Sequence, residues 1–229
     1  MKKIKLLSVL AMSLLAFAFT SCNTGSDDNG VKPLTPTEKA YCYSLTAGSR
    51  MNKLVYPSDE HVTEVTVNGQ KTKEYYDTLS VSTSIYGNDK DTIMSVNNFP
   101  VKIFARYIPE SSETNDLKEA LKKYEVPASF TCQVGYYATE PVTFLLYPTS
   151  TISCNLEYGG KTHKVDFYVT APSYYTYGQY NATTKKVSAY LLMYGYKIDA
   201  TDKDTNSPKQ FSYTLGNSSM SATQIGFFE

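Results

Sequence analysis

Most of the chain after Thr37 reads as strand. The clearest segment is "DTLSVSTSIYG", where Leu79, Val81, Thr83 and Ile85 alternate with Ser80, Ser82 and Ser84. Period-two alternation sends one face to a core and the other to water. Before it, "VTVNGQKT" holds Asn68-Gly69 between strand-like flanks, a pair that accepts the positive φ angles of a two-residue hairpin. After it, "GNDKD" turns the chain into "TIMSVNNF", so the pattern predicts a three-stranded meander from Val62 to Asn97. A second run, "VTFLLYP", "TISCNLEY", Gly159-Gly160 and "KTHKVDFYVT", reads as strand, strand, tight turn, strand, with Val165, Phe167 and Val169 inward. In "KKVSAYLLMYGYKI" both phases are apolar or aromatic, which predicts a strand buried on both sides and central in its sheet.

One helix is expected. Over residues 114–124, "TNDLKEALKKY" puts Leu117, Leu121 and Tyr124 on one stripe beside Ala120, with Asn115 to cap it and Pro127 to stop it. The stripe is narrow, so the helix should close an end or an edge of the β structure. "LVYP" at Leu54 and "LLYP" at Leu145 are offset by 91 residues, as are the turns Asn68-Gly69 and Gly159-Gly160. That echo allows two related halves, 38–112 and 128–229, joined by the helix. The fold expected is all-β, antiparallel sheets packed as a sandwich with one short helix; a closed lipocalin-like β-barrel is the alternative.

The N-terminus is of another kind. Lys2, Lys3 and Lys5 precede an uncharged apolar run of 14 residues, Leu6 to Phe19. That is short of the roughly 20 residues a spanning helix needs, and fits a signal peptide over residues 1–21. Thr20, Ser21 and Cys22 at its end resemble the lipobox of bacterial lipoproteins, in the looser form with Phe19 in place of leucine that is common in Bacteroidota. The resemblance implies lipidation of Cys22. Residues 22–37 are poor in large aliphatics, with Val31 and Leu34 the exceptions, and read as a flexible tether ahead of a β-rich globular region, 38–229. Ser26-Asp27-Asp28 resembles an acidic export signal, which implies an outer-membrane lipoprotein facing the exterior; the periplasmic face is the alternative.

Loss of the signal would leave 19 basic against 22 acidic residues, a mildly acidic chain without the footprint of a nucleic-acid binder. Cys132 shares a face with Phe130 and Val134, and Cys154 with Ile152 and Leu156. The two can form a disulfide or stay as buried thiols; Cys42 falls on the polar phase of "YCYSLTA". With the tract "YYDTLSVSTSIYGNDKDTIMSVNNFPVKIFARYI", the tyrosine-rich strands and the lipobox, the chain resembles a family of uncharacterised Bacteroidota surface lipoproteins. That resemblance implies an anchored envelope protein and brings no catalytic or binding residues with it.

Candidate chemistry is sparse. His61 has Asp59 and Glu60 beside it, and His163 lies in "KTHKVDF", but neither has a metal partner or a nucleophile motif nearby. Asp199 precedes Asp202, Asp204 and Asn206, which have the Asp-x-Asp-x-Asn spacing of a calcium loop but lack its glycine and closing glutamate. No cofactor, catalytic residue or metal site is expected, and the protein is expected not to be an enzyme. The candidate ligand residues are Tyr174, Tyr175, Tyr177, Tyr190, Tyr194 and Tyr196, whose rings, if exposed, can stack on sugar faces. The expected function is non-catalytic binding of an extracellular glycan or peptide. A small apolar ligand held in a barrel cavity, or a structural envelope role, are the competitors.

Overall fold

The computed structural model describes residues 33–67, 70–87, 91–170, 175–201 and 206–229. The expected signal peptide, Cys22, the tether as far as residue 32, the Asn68-Gly69 turn, Tyr174, Asp202 and Asp204 lie outside them. The described chain falls into two compact units. The larger comprises residues 34–62 and 75–229. The described part of the smaller is residue 33 with the strand ends 63–67 and 70–74, whose described side chains are mostly exposed.

The protein is mostly β, as the alternation predicts. The meander is present and longer than expected: β1 (Gly48–Val67), β2 (Gln70–Gly87) and β3 (Thr92–Phe99) are neighbours in that order. Val81, Thr83 and Ile85 of β2 are buried. In β3 the pairing slips between Val96 and Phe99, with Asn98 at φ 58°. Asparagine tolerates that left-handed conformation, and the extra residue lets Phe99 join the core.

β3 hands the sheet to β4 (Ala128–Thr139), which pairs with β5 (Val142–Pro148). β5 pairs on its far side with β8 (Tyr177–Asn181), and β8 with β9 (Lys186–Ile198). Phe144 of β5 lies opposite Gly178 of β8, where a Cβ would stand 2.1 Å from the ring, so glycine is required for the approach. The C-terminal strand β13 (Thr223–Phe228) pairs with both β9 and β1. The path β13-β1-β2-β3-β4-β5-β8-β9 therefore returns to β13, and eight strands form a closed hydrogen-bond ring. β9 is central, as its two apolar phases predict. Beyond β8 and β13 it pairs with β7 (Lys161–Val169) and β10 (Lys209–Gln210), and β7 carries the last strand in the order, β6 (Ile152–Tyr158). Gly159 and Gly160, both at positive φ, make the tight β6–β7 turn. A separate two-stranded sheet joins β11 (Tyr213–Leu215) to β12 (Ser218–Met220).

β1, with "LVYP", pairs with β13 and β2, and β5, with "LLYP", pairs with β4 and β8. The expected halves share one sheet through β3–β4 and one hydrophobic core.

The described residues hold three helical segments where one was expected. α1 (Pro36–Thr46) begins inside the expected tether and replaces a strand. The cause is a capping box: the Thr35 hydroxyl accepts from the Glu38 N–H, the Glu38 carboxylate accepts from the Thr35 N–H, and Pro36 opens the first turn. Such a cap is worth about 1 kcal/mol. Cys42, expected on a polar phase, is fully buried with Thr46 one helical turn away, and Leu34 packs against the core. A 3-10 segment, Val101–Tyr107, is almost wholly buried. α2 (Asn115–Lys122) agrees with the expected helix, burying Leu117 and Leu121, and packs on the 3-10 segment and on β6. It covers the terminal strand of the sheet, which limits edge pairing with other chains.

Cys42, Cys132 and Cys154 are free and buried. Burial pushes the Cys132 and Cys154 thiols up to about 12, Cys154 with help from the Asp166 carboxylate. The folded state thus holds these protons above the ordinary 9.0, so their stabilising contribution is complete below pH 9.0 and is lost as pH rises towards about 12. A thiol reagent at pH 8 should leave all three cysteines unmodified in the native protein and label all three in denaturant. Rapid native labelling of Cys132 or Cys154 would contradict this packing.

Candidate functional site

The larger unit carries a cleft of about 260 Å³ lined by residues from four elements. β1 supplies Pro57, Ser58 and Asp59; the 3-10 segment and its exit supply Arg106, Ile108 and Glu110; α2 supplies Lys118; the β11 strand and the residue before it supply Ser212 to Leu215.

Core packing positions these groups. In a 3-10 helix residues three apart eclipse one another, so Val101, Phe104 and Tyr107 face the core together and all three are fully buried. The Phe104 ring stacks on Phe167 at 4.2 Å and lies 5.5 Å from Phe99 and 5.9 Å from Phe211. Tyr107 is a post between strands. Its hydroxyl donates to the Pro57 carbonyl at 2.8 Å, and its own carbonyl accepts from the Ser212 N–H at 2.9 Å. Burial pushes its hydroxyl pKa well up. Arg106, between these anchors, turns outward to the cleft.

Arg106 is held on several sides. One guanidinium nitrogen donates to Ser58 Oγ at 2.6 Å, the other to Glu60 at 2.8 Å, and Asp59 lies 3.6 Å away. The guanidinium carbon sits 5.6 Å from the Tyr56 ring centroid, within cation–π range. The Tyr56 hydroxyl donates to Asp77 at 3.2 Å; burial first, then the Asp77 charge, push it up to about 12. Lys118, mostly buried, donates to Glu110 at 3.1 Å.

The burial of these pairs is lopsided. The Arg106 and Lys118 side chains are 20% and 10% exposed, whereas Asp59, Glu60 and Glu110 are 70%, 66% and 82% exposed. Cations sit deep and carboxylates at the rim. A pair with one partner that open to water is worth about 0–1 kcal/mol, so the rim carboxylates are exchangeable. Chemically the cleft offers charge-assisted donors. Ser58 accepts from a guanidinium, which stays protonated and cannot serve as its base.

The residues singled out in the sequence lie elsewhere. Of the six tyrosines, Tyr175 is exposed, Tyr194 is half-buried, and Tyr177, Tyr190 and Tyr196 are buried; Tyr174 is outside the described residues. Among the described residues of this set, Tyr175 alone is exposed. Tyr177 and Tyr190 are cross-strand partners stacked at 4.9 Å, with Phe228 edge-on to Tyr190 at 5.3 Å. Tyr196 joins the core against Phe211. Tyr190 and Tyr196 part because the β7–β9 register skips Tyr194, and one extra residue flips the side chains that follow.

His61 pairs with Asp77 at 3.4 Å and not with its sequence neighbours, which serve Arg106. His163 Nδ1 lies 2.7 Å from Asp199, whose other oxygen accepts from the Lys164 N–H. Those contacts, His163 foremost, hold the Asp199 carboxyl below its ordinary range and tie it to the β7–β9 end. Among the described residues no group of three or more His, Cys, Asp and Glu is placed to hold a metal ion. The cleft itself was missed in sequence. The available signal was arginine scarcity: Arg50 and Arg106 are the two arginines of a chain with 22 basic residues. Both are largely buried and ion-paired.

The family model described as a domain of unknown function, DUF4840, matches residues 46–198, and the chain belongs to that family. The match contains Pro57–Asp59, Arg106 and Lys118 and stops before β10. No curated protein and no solved structure gives a significant match.

Ser58 is buried and gives Arg106 its shortest contact. A hydrogen bond to a charged group contributes about 1.5–3 kcal/mol. Ser58→Ala should therefore destabilise the protein by about that much in urea titration, and Ser58→Thr should recover part of it. A neutral effect of Ser58→Ala would show that Arg106 is not held there.

Proposed function

We propose that this DUF4840 member is a non-catalytic binding protein of a bacterial envelope, with the Arg106–Lys118 cleft as its ligand seat and an extracellular glycan or peptide as its ligand. One observation carries the reading: a cleft with two sequestered cations whose ion-pair partners, among the described residues, are water-exposed carboxylates. Such a site exchanges its polar partners at little cost, which suits reversible capture. On this reading the eight-strand ring is a lipocalin-like barrel that scaffolds the site. The apolar-carrier alternative is less favoured, because Val96, Phe144, Leu146 and Met193 pack with no exposure at all in the core.

The anchor belongs to the same proposal. Lys2, Lys3 and Lys5, the apolar run and Cys22 support a lipoprotein of Bacteroidota type, and Ser26-Asp27-Asp28 supports the outer face of the outer membrane over the periplasmic face. Lipid at Cys22 would make the membrane the protein's first partner.

Two measurements test this. Glycan and peptide arrays probed with the detergent-extracted mature chain should retain a defined subset of ligands, and Leu215→Trp, which fills the cleft, should lower that signal at least tenfold. Unchanged array binding by the Leu215→Trp chain would contradict the seat. Mass spectrometry of protein from its native membrane should find lipid on Cys22 and none on the Cys22→Ala chain; persistent lipid on that variant would refute the anchor.

A further inference from the structure

We propose, resting on the cleft as the ligand seat, that its ligand is a hydroxylated carboxylic acid, specifically a uronate residue of an acidic glycan, with the carboxylate received by Arg106 and Lys118. Charge sets the first requirement. Arg106 presents a planar fork matched to a carboxylate, and Lys118 a compact ammonium with three donors, of which one is spent on Glu110 among the described residues. Both line the same 260 Å³ cleft and both are mostly shielded from water. A ligand carboxylate displaces Glu60 from the Arg106 nitrogen that Ser58 does not hold, or Glu110 from Lys118. The displaced groups, already 66% and 82% exposed, complete their hydration, so no charge is left buried and unpaired.

The rim sets the second requirement. Asp59 and Glu110, exposed carboxylates of the lining, put negative charge at the cleft, which penalises a dianion such as phosphate more than a monoanion. The wall sets the third. Ser212 and Thr214 are exposed there, and a hydroxyl both donates and accepts, as sugar hydroxyls require. Pro57 and Leu215 give the apolar surface against which the C–H face of a pyranose packs. The volume lies below the about 300–1,000 Å³ of sites for drug-sized ligands and so favours one sugar ring.

The test is calorimetric titration of the full mature chain in detergent with four probes: methyl galacturonide, methyl galactoside, inorganic phosphate and a short peptide with a free C-terminal carboxylate. The uronide should bind at least tenfold more tightly than each of the others, and more weakly as salt rises. Arg106→Gln should lower uronide affinity at least tenfold, and Arg106→Lys should restore part of it, since charge returns without the fork. Leu215→Trp, which leaves both cations in the chain, should abolish uronide binding while leaving the melting temperature near that of the parent, so misfolding is told apart from loss of the site. Equal affinity for galactoside and uronide, tighter phosphate or peptide binding, or no uronide binding up to millimolar concentration would overturn the ligand assignment. In those cases array binding sensitive to Leu215→Trp would still stand for the cleft as a seat of another ligand.

Discussion

The site depends on one buried ring. Phe104 stacks on Phe167 from β7 and lies against Phe99 from β3 and Phe211 beside β11. Those contacts join a short 3-10 segment to strands distant in sequence. Removing a buried phenylalanine side chain from such a packing costs about 3–5 kcal/mol. With Phe104 and Tyr107 committed to the core, Arg106 between them has one direction left, and that direction is the cleft. The polar site follows from apolar packing.

Ring closure supports that arrangement. β13 pairs with β1 at Lys53–Val55 and with β9 over its full length, so neither β1 nor β9 is left with an open edge along those residues. Closure brings β1 and the C-terminal strands together. β1 contributes Ser58 to one wall of the cleft, and β11 contributes Tyr213 to the other. The Tyr213 hydroxyl donates to the Ala222 carbonyl, which holds the small β11–β12 sheet to the chain entering β13. α2 covers β6, the strand left at the end of the sheet order, and presents Lys118 to the cleft while it does so. The elements that protect the sheet are the elements that build the site.

The strand pattern was legible where one face of a strand meets one core. β2, β6 and β7 bury the phase that alternation marks, and β9 is central because both of its phases are apolar. α2 was legible from stripe and stop, but its cap position is Thr114 and not the expected Asn115, and no side chain caps it. α1 was not legible, because Tyr41, Cys42, Tyr43 and Ser44 mimic a strand, and the deciding Thr35–Glu38 box straddles the end of a stretch that composition alone reads as tether. The 3-10 segment was hidden by "VKIFARY", whose apolar density suits a strand equally well. The tyrosine faces were misjudged because one skipped residue at Tyr194 inverts the phase beyond it, and strand periodicity carries no mark of a bulge. The cleft joins Ser58 to Arg106 across 48 residues, a meeting that no local pattern encodes.

The most direct test of this account is the guanidinium NMR spectrum of Arg106, tractable because Arg50 is the chain's other arginine. If Phe104 seats the segment that carries it, the Arg106 side-chain N–H signals in the parent protein should be dispersed and slow to exchange with water. In a folded Phe104→Leu variant they should collapse towards those of a solvated arginine while Arg50 stays unchanged. An Arg106 signal already averaged and fast-exchanging in the parent, or unaffected by Phe104→Leu, would contradict the claim that core packing builds the site.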